Sequence, residues 1–298
     1  MKHNFILSCE STCDLPHGYV ASRDIPVLFY TYNVGDEVFE DDMGRDPEAL
    51  PVFYAMLDEG KLPNTSQINT FRYEEFFREL LAQGDVLHIA MGSGMSASAS
   101  NAIEAGKNVA TEFPERKIIV IDSLSACGGI GLLLDDAADM RDAGASIDEV
   151  AQWLNERLLK MYHRFYATNL MHLRRGGRVS GPTAAIGTVL GICPIMRLDE
   201  NGKIFAHGKV RGKKNAIKAV AQSALDNAAG GKDYDGKIFV NNAGCPEDGE
   251  TMVAMLKEML PKAKVSLYNI GSVIGTHTGR GTVAIFFWGE NDRPAREA

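Results

Sequence analysis

The stretch that decides the fold is DVLHIAM, residues 85–91, which is followed at once by the loop GSGMSAS, residues 92–98. The first part is an apolar run with the length of a buried strand, and the second is rich in glycine and serine. A helical pattern then runs from residue 98 to about 112. A strand, a loop and a helix in this order are typical of a parallel sheet with helices on its faces.

The same order recurs in the rest of the first half. NFIL leads into SCESTCDLP (4–16), and KIIVID leads into SLSACGG (117–129). Further helices are predicted at 71–83, 128–143 and 147–161. The last begins after Ser146, and Glu149 follows three residues later, which is the pattern of a capping box. The first half therefore predicts a Rossmann-like parallel sheet.

The second half has a mixed pattern. It contains the strand-like run RFYATN (164–169) and a hairpin signal around DENG (199–202). Helices are predicted at 213–228 and 248–260, and the strands KIFVNN, KVSLYNI and TVAIFFW are interleaved with them. We therefore predict an α/β protein of two domains, with a parallel-sheet domain at 1–162 and a mixed α/β domain at 163–298.

Composition excludes several classes of function. The formal net charge of −8 argues against a nucleic acid partner, because such proteins usually carry a basic face. The five cysteines are an odd number and show no zinc-binding spacing, so we expect no metal and a reducing compartment. The N-terminal apolar run is too short for a secretion signal, and no run is long enough to span a membrane. We expect a cytoplasmic protein with at most transient membrane contact.

Three loops at the carboxyl ends of predicted strands are rich in hydroxyl groups. Ligands of open parallel sheets bind at these ends, where the N–H groups of helix N-termini attract anions. The loops therefore indicate an anion site, although serines in such loops also serve as ordinary caps and turn residues. The hydroxyl residues are Ser8, Ser11 and Thr12; Ser93, Ser96 and Ser98; and Ser123 and Ser125.

The loop 92–98 is also compatible in part with two other functions, dinucleotide binding and serine hydrolysis. Gly92, Gly94 and Ala97 match the dinucleotide-binding pattern, but no acidic strand end follows at the required distance. A serine hydrolase would need a base, and His88 lies in an apolar run where it is more often a core residue. His277 is expected in a glycine-bracketed turn between two strands, where a functional contact is favoured.

Taken together and in order, seven motifs resemble the DegV family of bacterial fatty-acid-binding proteins. They cover residues from 8 to about 286. The motifs are STCDLP, TSQ, SGMSAS, VIDSLSACGGIG, LRRGGRVSG, CPIMRLDENGKI with KVRGKK, and IGTHTGRG. The resemblance implies a long-chain fatty acid bound between two α/β domains, with no cofactor. It also implies that the protein is not itself an enzyme and presents the carboxyl group to a separate ATP-using fatty acid kinase subunit, which forms an acyl phosphate.

The resemblance also assigns roles to particular residues. The carboxyl group would be held by Thr65, Ser66, Ser96 and His277, with Ser93 close behind. In two further motifs, Arg178 would lie near the head group, and Arg211 would dock the kinase or steady the transferred phosphate. Residues 184–196 are candidates to line the acyl tunnel, although an ordinary core helix would have the same composition.

The chain departs from the family pattern at two motifs. Ala97 and Ser98 replace a glycine and a threonine, and Arg280 replaces a proline in HTGRG, which adds a positive charge beside the expected head-group site. A hydrolase or acyl transferase that uses a serine and His277 remains the alternative. Its weakness is the lack of a carboxylate to orient the histidine.

Overall fold

The structure is a computed structural model that describes residues 3–179 and 191–296. Its strands are β1 (Ile6–Glu10), β2 (Val27–Leu28), β3 (Thr31–Val34), β4 (Glu37–Glu40), β5 (Asn64–Thr65), β6 (Val86–Ala90), β7 (Ile118–Asp122), β8 (Met161–Tyr166), β9 (Ile192–Leu198), β10 (Ile204–Arg211), β11 (Lys237–Asn242), β12 (Lys264–Asn269) and β13 (Val283–Trp288). Its α-helices are α1 (His17–Ser22), α2 (Ala49–Asp58), α3 (Thr70–Leu81), α4 (Ser98–Ala110), α5 (Gly128–Asp142), α6 (Ile147–Asn155), α7 (Met171–Arg175), α8 (Lys213–Asn227), α9 (Pro246–Met259) and α10 (Ser272–Thr278). In these described ranges no helix has the length and apolar character needed to cross a membrane.

The first half of the chain forms the predicted parallel sheet. Its strand order is β2-β1-β6-β7, and all three neighbouring pairs are parallel. Every residue of β6 is buried, as expected of a strand that is covered on both faces. The carboxyl ends of β1, β6 and β7 therefore lie along one edge, and the hydroxyl-rich loops begin there.

Helix α6 begins as predicted but is shorter than predicted. Ser146 and Glu149 form the expected capping box, in which each side chain bonds the other residue's backbone N–H. The helix ends at Asn155 rather than at 161, and a 3-10 turn separates it from β8. All six residues of β8 are buried. The predicted end of the helix at residue 161 coincides with the first residue of this strand, because a short apolar run fits either a helix or a strand.

The second half forms a six-stranded mixed sheet with the order β10-β9-β8-β13-β11-β12. The predicted hairpin is confirmed, since β9 and β10 pair antiparallel on either side of the 199–202 turn. One face of the sheet packs under α8 and α9, and the other face, through Phe165, Phe239 and Phe286, joins the core of the first half. The boundary expected at residue 162 falls inside β8, and a division into two domains there stays a prediction.

An ion cluster joins the two halves outside their shared core. Lys237 Nζ, on β11, lies 2.5 Å from Asp135 Oδ2, 2.7 Å from Asp136 Oδ1 and 2.6 Å from Asp139 Oδ2, all on α5. These three carboxylates are close enough together to hold a metal ion, but the lysine ammonium occupies the position between them. The cluster therefore holds α5 against the second sheet.

Candidate functional site

The hydroxyl-rich segment that follows β6 contacts the loop that follows β5, which carries the TSQ motif. The backbone N–H of Ile68 donates to Ser98 Oγ at 3.1 Å, and Asn101 Nδ2 donates to the Ile68 carbonyl at 2.8 Å. Ser96 Oγ donates in turn to Ser98 Oγ at 3.0 Å. These bonds hold the loop after β5 against the segment that follows β6.

The arginine-rich segment that begins in α7 is bound to the start of β5 and to the loop after β6. Arg175 donates to the carbonyl of Pro63 at 2.5 Å and to Asn64 Oδ1 at 3.2 Å. Arg178 Nε donates to the Met95 carbonyl at 3.0 Å. Since these bonds use only part of each guanidinium, positive charge stays available where the loops meet.

Helix α10 brings His277 to this point. The prediction of a turn between two strands was wrong, because residues 272–278 form a short helix between Gly271 and Gly279. His277 Nε2 lies 2.8 Å from Thr65 Oγ1, although the two residues are 212 positions apart in the sequence. The histidine and the threonine that the resemblance assigned to one carboxyl group are therefore in direct contact.

The surroundings of His277 are cationic. Burial, together with the charges of Arg178, Arg175 and His172, lowers its pKa to about 3, so the ring is neutral at physiological pH. Its Nδ1 is buried without a hydrogen-bond partner, beside Gly176, where any side chain would overlap the ring. A site with an unpaired polar atom and positive neighbours favours an anionic ligand.

An apolar cavity opens from this cluster. It contains about 580 Å³ of space free of protein atoms, part of it open to solvent. Arg178, His277 and His163 are its strongly polar lining groups among the described residues. The other lining residues are Met91, Met95, Ala126, Cys127, Phe165, Leu173, Leu198, Ile204, Ile270, Ile274, Thr278, Thr282, Ala284 and Phe286.

The two histidines of the cavity differ in their hydrogen bonds. His163 Nδ1 lies 3.2 Å from the Met161 carbonyl and so carries the proton, which leaves Nε2 to accept from Ser125 Oγ at 2.7 Å. Burial lowers the pKa of His163 well below its ordinary value. Both of its ring nitrogens are satisfied, whereas His277 keeps one nitrogen unpaired. An anionic head group is therefore expected at His277 and Arg178.

Sequence reasoning missed Tyr30. This residue is 2% exposed, and its hydroxyl is buried without a hydrogen-bond partner. Burial and the charge of Glu10 raise the pKa of Tyr30 well above its ordinary value, while the nearby hydroxyls of Ser98 and Ser96 lower it. The phenol therefore lies beside the loop that bears Ser96. A lone tyrosine outside any motif gave no signal in the sequence.

Three other predicted residues, and Arg280, form no hydrogen bond with His277 in the part of the chain that the structure describes. Ser66 and Ser93 are exposed, and Ser93 donates its backbone N–H to Asp122 Oδ1 at 2.9 Å. Arg211 is exposed at the end of β10. Arg280 forms an ion pair with Asp58.

Most of the expected acyl-tunnel segment, residues 184–190, lies outside the described residues. Residues 192–196 belong to β9, and the cavity-lining residue of that strand is Leu198, just beyond them.

The structure explains the glycine pattern of the loop without a nucleotide. A side chain at Gly92 would overlap the backbone of Leu124 and Ser125, and one at Gly94 would overlap the 201–202 turn of the β9–β10 hairpin. Both glycines are therefore needed where backbones cross closely, which is a packing role.

Another group could be mistaken for a hydrolase triad. Ser8 Oγ lies 3.0 Å from His88 Nδ1, and Glu10 Oε1 lies 3.5 Å from His88 Nε2. All three side chains are 0% exposed. Since no substrate reaches them, they form a buried polar network and not a catalytic site.

Comparison with known proteins places the chain in a family. A family model described as "Uncharacterised protein, DegV family" matches residues 6–290. The chain belongs to the DegV family. A DegV domain-containing protein of Clostridium perfringens is 36% identical over 292 residues, which cover 97% of this chain and 99% of that protein.

Solved structures of DegV relatives have the same fold. One, a Thermotoga maritima protein whose structure is described as revealing a fatty acid binding function, is 26% identical with a TM-score of 0.81, and the match covers 96% of this chain and 99% of that one. Another, the Streptococcus pneumoniae Fatty Acid Kinase (Fak) B3 protein loaded with linoleic acid, has a TM-score of 0.82 over 96% and 99% of the two chains. At 20% identity, that second likeness concerns the fold alone.

Proposed function

We propose that this DegV protein binds a long-chain fatty acid and presents its carboxyl group to a separate ATP-dependent kinase subunit. The observation that carries the proposal is the contact between Thr65 and His277 beside Arg178, at an apolar cavity. A fatty acid needs an apolar environment for its acyl chain directly beside polar groups that can bind its carboxylate. The relative from Thermotoga maritima, described as binding fatty acid, supports the assignment.

The head-group site suits presentation as well as binding. Thr65, Ser96 and the neutral His277 are uncharged hydrogen-bonding groups, while Arg178 uses at least two of its donors on the carbonyls of Met95 and Gly176. A carboxylate held mainly by neutral donors keeps an oxygen available as a nucleophile, whereas a bidentate arginine pair would engage both oxygens. Positioning that oxygen for attack on a phosphoryl group would be the protein's contribution to the reaction.

The apolar lining accounts for the affinity. Burying about fifteen methylene groups at about 0.8 kcal/mol each would contribute on the order of 12 kcal/mol before the cost of ordering the chain. Most of the binding energy therefore comes from the tail. The polar groups fix where the carboxyl group lies.

A partner surface is available beside the head-group site. Leu62 and Met171 are large apolar residues that are 49% and 47% exposed, and Arg175, on Met171's helix, donates to the Leu62 carbonyl at 3.4 Å. We assign this surface to the kinase subunit, whose active site must reach the carboxyl group. The name of the Streptococcus pneumoniae protein with the same fold, Fatty Acid Kinase (Fak) B3, is in keeping with a kinase partner.

The alternative of an independent hydrolase or acyl transferase lacks a catalytic arrangement around His277. Its hydroxyl partner is a threonine, and the groups that perturb its pKa are cationic. A nucleophile–base pair needs an acidic group or carbonyl to orient the base. Among the described residues no carboxylate and no carbonyl group is hydrogen-bonded to the His277 ring, whose one hydrogen-bond partner there is Thr65 Oγ1.

Denaturing extraction of the freshly purified protein, followed by mass spectrometry, tests the binding step. One fatty acid per chain supports it, and an empty extract with no uptake of added fatty acid contradicts it. The kinase step is tested by adding a DegV-associated kinase subunit and ATP to the loaded protein. Acyl phosphate should form only when both proteins are present, while formation by this chain alone would indicate an enzyme.

A further inference from the structure

A second cavity lies where three chain segments meet. These are the loop after β1, the residues that follow β4, and the turn before α10. The cavity contains about 1050 Å³ of space free of protein atoms, part of it open to solvent. Asp14, Asp41 and Gly271 line its inner part, and the proposed fatty acid function uses none of them.

The two aspartates of this cavity are buried and incompletely paired. Asp14 is 7% exposed, and neither of its carboxylate oxygens has a hydrogen-bond partner. Asp41 is 2% exposed; its Oδ1 accepts from the backbone N and from Oγ of Ser272, at 3.1 Å and 2.8 Å, but its Oδ2 has no partner. The donors near these three buried carboxylate oxygens are the Cys127 thiol and the Gly271 N–H at Asp14 and the Ser11 hydroxyl at Asp41, and none of them has good hydrogen-bond geometry. The burial of these oxygens is therefore costly unless something further compensates them.

The carboxylates converge on one place, beside Gly271. A Cβ atom at that residue would lie 2.7 Å from Asp14 Oδ1, 3.0 Å from Asp41 Oδ1 and 3.5 Å from Asp41 Oδ2. The backbone of Gly271, with φ −67° and ψ 171°, is one that any residue adopts. The glycine is therefore needed here for space, and the space that it leaves faces oxygen atoms of both aspartates.

The charge around the pair is negative. Among the described residues no lysine, arginine or histidine forms an ion pair with Asp14 or Asp41. Glu40, Asp42 and Asp46 also line the cavity, and of these three Glu40 is paired with Arg45. The nearby Cys127 thiol and Gly271 N–H compensate this negative charge only in part. A positive charge at the convergence point would compensate both carboxylates.

We propose that this cavity binds a hard divalent cation, such as Mg²⁺ or Ca²⁺, through the carboxylates of Asp14 and Asp41. Such cations prefer oxygen ligands and often keep several water molecules, for which the open part of the cavity has room. The cation would hold together the first loop of the parallel sheet and the turn that begins the helix of His277. It lies outside the fatty acid cavity, so it does not depend on the proposed function.

Titration of the cation-free full-length protein tests this site. After treatment with a chelator, calorimetric titration with MgCl₂ and with CaCl₂ should show one bound ion per chain for at least one of the two salts. Asp14→Asn keeps the shape of the side chain and tolerates the same backbone but removes a charge, so affinity should fall by about tenfold or more. Asp46→Asn is the matched control, because Asp46 lines the same cavity but is exposed, and it should bind nearly as the wild type does.

Two results would overturn the proposal. One is no binding of either ion at millimolar concentration, and the other is equal loss of affinity in both variants, which would indicate diffuse attraction to an acidic surface. Should Asp14→Asn fail to fold, crystals of the wild-type protein soaked in MnCl₂ give a second test. An anomalous peak at about 2.1–2.6 Å from oxygens of Asp14 and Asp41 supports the site, and its absence there contradicts it.

Discussion

Thr65 Oγ1 and His277 Nε2 lie 2.8 Å apart, in a contact that joins strand β5 to helix α10. Strand β5 belongs to a three-stranded antiparallel sheet with the order β4-β3-β5. The ring is neutral, its other nitrogen is unpaired, and the charges that surround it are positive. The pair can therefore accept a carboxylate without giving up an existing ion pair. In the buried Ser8–His88–Glu10 network, by contrast, a carboxylate oxygen of Glu10 already lies 3.5 Å from His88 Nε2, and all three residues are 0% exposed.

The first prediction concerns fatty acid retention. His277→Ala and Thr65→Val each remove one hydrogen-bonding group from the carboxyl site, and each should weaken binding by roughly 10- to 100-fold, since a hydrogen bond to a charged group contributes about 1.5–3 kcal/mol. Mass spectrometry of the extracted ligand and titration with fatty acid measure the effect. Arg280→Gln is the control, because Arg280 pairs with Asp58 at the surface, and its retention should match the wild type. Full retention in both site variants would refute the site assignment.

The second prediction concerns Tyr30. Its hydroxyl is buried near Ser96 and Ser98 without a hydrogen-bond partner, so Tyr30→Phe removes an unsatisfied polar atom. We expect the free energy of unfolding to stay equal or rise by about 1 kcal/mol, while fatty acid affinity falls by about tenfold. Urea denaturation and ligand titration measure the two effects. A fall in stability with unchanged affinity would mean that the hydroxyl has a structural role.

The third prediction concerns pH. Burial and neighbouring cations lower the pKa of His277 to about 3, from an ordinary value near 6.5. Between these values the unfolded chain binds a proton that the native protein does not, so the free energy of unfolding falls as the pH is lowered through this window. His163 and His172, whose pKa values are also lowered, act in the same direction.

Replacing the histidine isolates its share of that pH dependence. His277→Gln removes the titrating group and should reduce the slope of unfolding free energy against pH by up to about 1.4 kcal/mol per unit below pH 6.5. Urea denaturation at a series of pH values between about 4.5 and 7 measures the slope. Arg280→Gln should keep the wild-type slope, and an unchanged slope in His277→Gln would contradict the low pKa.

The fold was predictable because its pattern is local. Strand β6 is a short run of apolar residues with His88 at its centre, and the buried residues Tyr73, Phe77, Leu80 and Leu81 of α3 recur at helical spacing. Both signals need only neighbouring residues in the chain. The errors occurred where that information is ambiguous, as at β8, and at His277, whose helix lies between two glycines that also fit a turn.

The site was predictable only through the order of its motifs. Thr65, Ser96, Arg178 and His277 belong to motifs whose order indicated a shared role, and hydrogen bonds link the four chain segments that carry them. Nothing in the sequence pointed to Tyr30 or to the pairing of Asp14 with Asp41. Their burial and their missing partners are tertiary properties, set by chain segments far apart in the sequence.

The fourth prediction concerns the partner surface. Met171→Glu places a charge on an exposed apolar residue beside the head-group site, so it should reduce kinase-dependent acyl phosphate formation by about tenfold or more. Retention of fatty acid should be unchanged, since Met171 does not line the cavity. The control is Val38→Glu, because Val38 is 64% exposed on β4, outside this surface. Equal activity of the two variants would place the kinase elsewhere on the protein.

The fifth prediction concerns the cluster that joins the two halves. Lys237 is the ammonium shared by Asp135, Asp136 and Asp139, and its side chain is only 24% exposed. Lys237→Met removes the ammonium that the three neighbouring carboxylates share, and Arg23 then compensates only Asp135 and Asp139. We therefore expect a loss of at least about 2 kcal/mol in the free energy of unfolding. Lys262→Met removes an exposed pair with Asp233 and should change the free energy of unfolding much less, because water and salt screen such a pair. Urea denaturation compares the two. The loss of unfolding free energy in Lys237→Met comes from repulsion among the aspartates, so this loss should shrink when the pH is lowered enough to protonate them. Equal losses in Lys237→Met and Lys262→Met would show that the cluster does not hold the two halves together.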